Sequence, residues 1–68
     1  MRVVLNGDIR DLPDGATVRE AVTASGAPAE GRGVAVALDG EVVPRRAWDE
    51  ASLQEGQRVE VVQAVQGG

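Results

Sequence analysis

The composition of this 68-residue chain, which carries a net charge of −4, leaves few groups for catalysis. It contains no Cys, no His and no Lys, so thiolate nucleophiles, histidine proton shuttles and lysine Schiff bases are excluded. A chain this short forms one domain that buries only ~60% of its unfolded surface, and its acidity disfavours nucleic acid as a partner.

The first predicted element is a β-hairpin. An apolar, β-branched opening is followed by Asn6-Gly7, a strong hairpin signal, and then by a returning strand. A two-residue turn places Leu5 opposite Asp8, whereas a three-residue turn places Leu5 opposite Ile9. We favour the three-residue turn because it pairs two apolar side chains.

One short helix of about two turns is predicted next. Thr17 and Glu20 fit a capping box at its start. Gly26 is a natural residue just beyond its end, and Pro28 prevents it from continuing. Four residues at helical spacing form its narrow apolar stripe: Val18, Ala21, Val22 and Ser25.

A second hairpin is predicted in the middle of the chain. Residues 34–38 alternate Val or Leu with Ala, which is typical of a strand with one heavier face. Asp39-Gly40 is the turn signal, and residues 41–43 return until Pro44, which cannot donate a hydrogen bond to a sheet.

An irregular segment and a last strand complete the predicted elements. Trp48 and Leu53 are the expected anchors of the irregular segment in the core. The last strand covers residues 58–64, with Val59 and Val61 on one face.

This order of elements predicts an α+β fold of the ubiquitin-like β-grasp kind. We expect a mixed sheet of four to five strands, with one helix packed across it and the first and last strands parallel at its centre. Residues 1–64 form the β-grasp domain, and residues 65–68 form a flexible C-terminal diglycine tail.

The C-terminal Gly67-Gly68 is the strongest functional signal in the chain. The Gly68 carboxylate is an acyl group that can be activated without help from a side chain. Glycine has no Cβ, so the end of the tail can enter a narrow slot. With Val65 and Gln66, the tail spans at most ~13 Å, and we expect all four residues to be needed for entry into a partner's active site.

The exposed face of the sheet, near the tail, is the expected partner surface. Val62 and Ala64 are the candidate contacts on the last strand, and Arg45 is a further candidate. Arg45 with its neighbour Arg46 is read either as a docking patch or as a solvated pair of charges.

No metal site is predicted. Asp8, Asp11 and Asp14 are spaced like ligands at first sight, but they lack the ligand pattern of a calcium loop. The Gly31-Arg32-Gly33 segment lacks the residues of a phosphate-binding loop and is interpreted as a turn.

Nearly the whole chain resembles the ThiS family of sulfur carriers. Residues 36–45, with their Val-Pro-Arg turn, resemble the family's corresponding hairpin, and Trp48 follows as in many members. Residues 53–68 resemble its last strand and tail, while the opening at 3–7 and the helix start at 17–18 also fit.

The resemblance implies a cycle of sulfur transfer for thiamine thiazole synthesis. A ThiF-like adenylyltransferase uses ATP to convert the Gly68 carboxylate into an acyl-adenylate. A sulfur donor, ultimately a cysteine desulfurase, then replaces AMP and leaves a thiocarboxylate, from which a ThiG-like thiazole synthase takes the sulfur. In this cycle the carrier is a cosubstrate, not an enzyme, and binds no cofactor of its own. We expect a cytoplasmic protein that is monomeric when free, with no signal sequence and no membrane segment.

Three other functions fit the same features. One is a sulfur carrier for another pathway, such as the synthesis of molybdopterin, cysteine or a natural product. Another is a ubiquitin-like modifier that forms amide bonds to target lysines. The third is a plain binding domain whose tail is inert.

Overall fold

The protein folds as a five-stranded mixed sheet with one helix across one face, in a computed structural model that describes residues 1–64. The strand order is β2-β1-β5-β3-β4. This architecture confirms the predicted β-grasp fold. The elements are β1 (Arg2–Leu5), β2 (Asp8–Asp11), α1 (Val18–Ala24), β3 (Val34–Leu38), β4 (Glu41–Val43), a 3₁₀ turn (Arg45–Ala47) and β5 (Arg58–Gln63).

The first and last strands meet at the centre of the sheet, as predicted. β1 pairs with β5 in parallel, with Leu5 opposite Val59, and the other strand pairs are antiparallel. The Asn6 side chain prolongs this pairing, because its Oδ1 accepts from the Val61 N–H at 2.8 Å and its Nδ2 donates to the Val61 carbonyl at 3.3 Å. The strand that leads to the tail is therefore held on both sides.

The register of the first hairpin differs from the prediction. Leu5 pairs with Asp8 and Val4 pairs with Ile9, so the turn has two residues, not three. Asn6 and Gly7 have φ angles of 50° and 86°, as in the tight turn whose twist matches that of the flanking strands. Leu5 faces the core and Ile9 the opposite side, so the apolar pairing that motivated the prediction is made by Val4.

The helix covers the sheet through one apolar stripe, as predicted. Val18, Ala21 and Val22 are fully buried, whereas Ser25, the fourth predicted residue of the stripe, is the C-cap beyond the helix and is only partly buried. At its start the Glu20 carboxylate accepts from the Thr17 backbone N–H at 3.1 Å, and beyond its end Gly26 has a φ of 88°. The facing core residues of the sheet are Val3, Leu5, Val36, Val59 and Val61.

The irregular segment is anchored by the two predicted residues. Trp48 is 1% exposed and Leu53 is 4% exposed. The Trp48 indole N–H donates to the Val43 carbonyl at 2.9 Å, so burial of the ring leaves no unsatisfied donor. Within residues 1–64, the helix is too short to cross a membrane.

The last strand ends one residue earlier than predicted, at Gln63. The Ala64 N–H still donates to the Gly33 carbonyl at 2.7 Å. The chain is therefore tied to the loop before β3 at the point where the tail begins.

Candidate functional site

The face of the sheet opposite the helix carries an exposed apolar strip. Val62 on β5 lies opposite Ala35 on β3, and Ala37 on β3 lies opposite Val42 on β4. Val62 is 63% exposed and Val42 is 77% exposed, and the alanine that lies opposite each of them is too small to cover it. Burying such side chains against a partner is favourable, so the strip has the character of a docking surface.

The strip ends in a shallow groove beside the end of β5. We call it the β5 groove and define it by seven lining residues: Gly31, Gly33, Val34, Ala35, Arg45, Val62 and Ala64. A second depression, which includes Val42, adjoins the groove and shares Ala35 and Val62 with it. The apolar surface is therefore continuous from the edge strand to the start of the tail.

The structure brings the three predicted partner contacts together. Arg45, Val62 and Ala64 all line the β5 groove, although Arg45 is distant from the other two in the sequence. They meet because β3 pairs antiparallel with β5 and the 3₁₀ turn follows directly after the β3–β4 hairpin. Their role in binding stays a prediction.

Gly31 and Gly33 form a wall of the groove that the sequence reading missed. Gly31 has a φ of 83°, and a Cβ on it would lie 2.5 Å from Trp48 Cζ3 and 2.7 Å from Arg45 Cδ. Only glycine fits there without displacing the indole ring or the arginine side chain. Two glycines within three residues are the signal in the sequence, and the turn expected there is present and also forms this wall.

Arg19 braces this wall from the helix. Its guanidinium forms an ion pair with Asp49, donates to the Ala29 carbonyl and lies 5.5 Å from the centroid of the Trp48 ring. The loop between α1 and β3 is thereby tied to the helix and to the irregular segment. The groove thus has a fixed wall.

Arg45 presents a positive charge at the groove. Within residues 1–64, no carboxylate oxygen lies within 4.0 Å of its guanidinium. The same holds for four other arginines there, whereas Arg2 and Arg19 each have an aspartate partner. The side chain is exposed. A positive group therefore lies beside an apolar surface in a protein whose net charge is −4.

Asp39 fixes the opposite end of β5. Its carboxylate accepts from the Arg58 backbone N–H at 2.9 Å and from the Gln57 side-chain amide at 3.1 Å. These hydrogen bonds, chiefly the one from the Arg58 backbone, lower the pKa of the Asp39 carboxyl below its ordinary value of 3.8. The site is far from the groove along the strand, so we interpret it as structural.

The predicted acyl end, Gly68, and the three residues before it, Val65, Gln66 and Gly67, lie outside the described residues. In the part that is described, no group of three or more His, Cys, Asp or Glu residues is arranged to hold a metal ion. The candidate site is thus the β5 groove, from whose edge the tail continues.

Comparison with known proteins identifies the family. The model of the ThiS family matches residues 3–68. The chain is similar to the crystal structure of a thiamine biosynthesis protein, ThiS, from Geobacter metallireducens, with 30% identity, a TM-score of 0.78 and coverage of 100% of both chains. It is also similar to the solution structure of a thiamine biosynthesis protein from that organism, with 30% identity, a TM-score of 0.80 and coverage of 100% of this chain and 88% of the other. No curated protein gives a significant match. Because the family model spans nearly the whole length, this chain belongs to the ThiS family.

Proposed function

We propose that this protein is a sulfur carrier for the synthesis of the thiamine thiazole ring, and that it carries the sulfur on the C-terminal carboxylate of Gly68. The observation that carries the proposal is the match to the ThiS family, which extends through the diglycine at 67–68. The likeness to thiamine biosynthesis proteins over the whole chain supports the same pathway.

The chemistry begins with activation, because a carboxylate is a poor electrophile. A Gly68 carboxylate oxygen attacks the α-phosphorus of ATP, and pyrophosphate leaves. The terminal sulfur of a donor persulfide then attacks the carbonyl carbon of the acyl-adenylate, and AMP leaves. A thiol cleaves the S–S bond of the resulting acyl disulfide, forms a disulfide with the donor and frees the sulfur on the acyl carbon. The net change at Gly68 is one oxygen replaced by sulfur, which gives a thiocarboxylate.

The catalytic groups for these steps come from partner enzymes. A ThiF-like adenylyltransferase binds the ATP, a cysteine desulfurase is the ultimate sulfur donor, and a ThiG-like thiazole synthase takes the sulfur. The composition of the carrier suits this division of work. Without Cys it has no side chain that could form a persulfide, so the sulfur must be bonded to the acyl carbon.

The geometry of the described residues limits how the partner binds. β5 ends at Gln63, and Ala64 lies at the edge of the β5 groove. The four residues 65–68 span at most ~13 Å when fully extended. An adenylyltransferase must therefore bring its ATP site within about that distance of the groove.

The test is the intact mass of the protein after incubation with ATP, a ThiF-type adenylyltransferase and a sulfur donor. We expect a gain equal to the exchange of one oxygen for one sulfur. Deletion of Gly68, or Gly67→Val, should abolish the gain while leaving the circular dichroism spectrum unchanged. The control is Thr23→Ala, which alters an exposed residue of the helix, on the other side of the sheet from the strip, and should load like the unmutated chain.

Each of the other outcomes identifies a rival. Loading that survives the loss of Gly68 would refute the assignment of the acyl end. An amide bond between Gly68 and a lysine of another protein would indicate a modifier. A thiocarboxylate that a thiazole synthase and its substrates fail to consume would indicate a carrier for another pathway. No mass change, with an enzyme that is active on another carrier, would indicate a binding domain with an inert tail.

A further inference from the structure

We propose that Arg45 and the β5 groove form the docking point for the adenylyltransferase, with the Arg45 guanidinium receiving a carboxylate of the enzyme and the groove receiving an adjacent aliphatic side chain. This inference rests on the proposed function, because it assigns the surface through which the acyl end is delivered. It commits to one kind of partner segment: an acidic residue close to an aliphatic one.

The groove lies next to the start of the tail. Ala64, the last residue that the structure describes, lines the groove, and four residues follow it. Because these span at most ~13 Å, any enzyme that reaches Gly68 also covers surface close to the groove. Contacts made there set where the tail starts, and therefore which slot it enters.

The charge of Arg45 favours an acidic group on the partner. Arg45 has no carboxylate within 4.0 Å among residues 1–64, although acidic residues outnumber basic ones by 11 to 7 in the chain. A guanidinium beside an apolar surface forms its strongest contact with a carboxylate, which it can bind through two parallel hydrogen bonds. A carboxylate of the partner would be the complementary group.

The Arg45 side chain is held in place before a partner binds. The Arg45 stem lies over the Gly31 backbone, where a Cβ would come within 2.7 Å of its Cδ, and the Trp48 ring supports the same glycine. The Arg45 backbone carbonyl also accepts from the Trp48 backbone N–H at 3.1 Å. Less side-chain entropy is lost on binding when the stem is already packed, so this arginine is better prepared than a solvated one.

The shape and lining of the groove select the second contact. Gly31, Gly33, Ala35 and Ala64 supply walls without polar side chains, and Val62, which is 63% exposed, forms an apolar border. A charged or amide side chain placed there would lose hydrogen bonds to water without replacement. An aliphatic side chain has no hydrogen bonds to water to lose, and its binding removes apolar area from water.

Arg46 provides a matched control for the charge. Arg45 and Arg46 are neighbours in one 3₁₀ turn and both are exposed, but only Arg45 lines the groove. Arg45→Glu and Arg46→Glu therefore change the net charge equally. The rate of pyrophosphate release by a ThiF-type adenylyltransferase is measured against carrier concentration for the unmutated chain, for both variants and for Arg45→Lys.

We expect Arg45→Glu to raise KM for the carrier about tenfold or more. The new glutamate would repel the enzyme carboxylate that the arginine attracts. Its kcat should stay within about twofold, since the contact is the same in the ground state and the transition state. Arg46→Glu should leave both constants within about twofold, and Arg45→Lys should fall between because it keeps the charge but not the fork geometry. Thermal melting confirms folding, and Arg45→Gln, which reverses no charge, should raise KM by less than Arg45→Glu does.

Equal increases in KM for the two glutamate variants would overturn the docking point in favour of a general charge effect. A loss confined to kcat would also overturn it. Calorimetric binding without ATP separates this proposal from the proposed function. Binding that depends on Arg45 without any thiocarboxylate would support the docking point and refute the function. Loading with a KM that ignores Arg45 would refute the docking point alone, and neither binding nor loading would refute both.

Discussion

Substitution of Gly31 by alanine tests whether the groove wall is packed as tightly as the structure indicates. The new Cβ would lie 2.5 and 2.8 Å from two atoms of the Trp48 ring and 2.7 Å from Arg45 Cδ. Trp48 is 1% exposed and lies in the core, so its ring cannot move aside to accept the new atom. The backbone also has a φ of 83°, which alanine disfavours.

The expected loss combines two effects. The left-handed backbone conformation costs alanine about 1–2 kcal/mol. Overpacking against the core costs a further ~1–3 kcal/mol, so the free energy of unfolding should fall by about 2–5 kcal/mol. At ~0.05–0.15 kcal/mol per residue, a domain of this length has roughly 3–10 kcal/mol of stability in total, so Gly31→Ala removes a large share of it.

Gly56→Ala isolates the steric part of this loss. Gly56 also has a φ of 83°, but no atom lies within 4 Å of a Cβ placed on it, so only the backbone cost of about 1–2 kcal/mol applies. Both variants are unfolded in urea and followed by far-UV circular dichroism and Trp48 fluorescence. If Gly31→Ala lies within ~0.5 kcal/mol of Gly56→Ala, the packing of the wall on Trp48 is refuted.

Two further predictions concern β5 and its capping turn. Because hydrogen bonding lowers the pKa of Asp39 in the folded state, its contribution to stability is present above the ordinary pKa of 3.8 and is lost as the pH falls through the lowered value. Asp39→Asn should therefore flatten the loss of stability below about pH 4, and identical acid profiles of the urea midpoint for both proteins would contradict this. Val59→Ala should cost about 2–3 kcal/mol in urea unfolding, because its side chain is fully buried, whereas Val62→Ala should change stability by no more than ~0.5 kcal/mol. Equal losses at these two positions would mean that the two faces of β5 are wrongly assigned.

Local patterns predicted most of the elements because each depends on nearby residues. The helix follows from the Thr17 and Glu20 cap and from a stripe of three buried residues. The two anchors, Trp48 and Leu53, follow from the scarcity of large side chains in the irregular segment. In these places the local preference and the tertiary packing agree, so a single sequence was sufficient.

The first hairpin shows where such reasoning fails. Apolar pairing of Leu5 with Ile9 favours a three-residue turn, but the positive φ angles of Asn6 and Gly7 favour a two-residue turn, and Leu5 packs in the core instead. The β5 groove could be predicted only in part. Alternation along β5 indicated Val62, but the wall formed by Gly31 depends on how a loop packs on Trp48, which no periodicity encodes.

The parallel pairing of β1 with β5 has a consequence for synthesis of the protein on the ribosome. The strand at the middle of the sheet is the last one translated, so a nascent chain cannot assemble its sheet until residues 58–63 have left the exit tunnel. Such distant pairing also slows folding relative to a fold built from neighbouring segments. An interrupted translation product that lacks β5 lacks the diglycine as well. No truncated product that lacks this strand can therefore present the diglycine at 67–68.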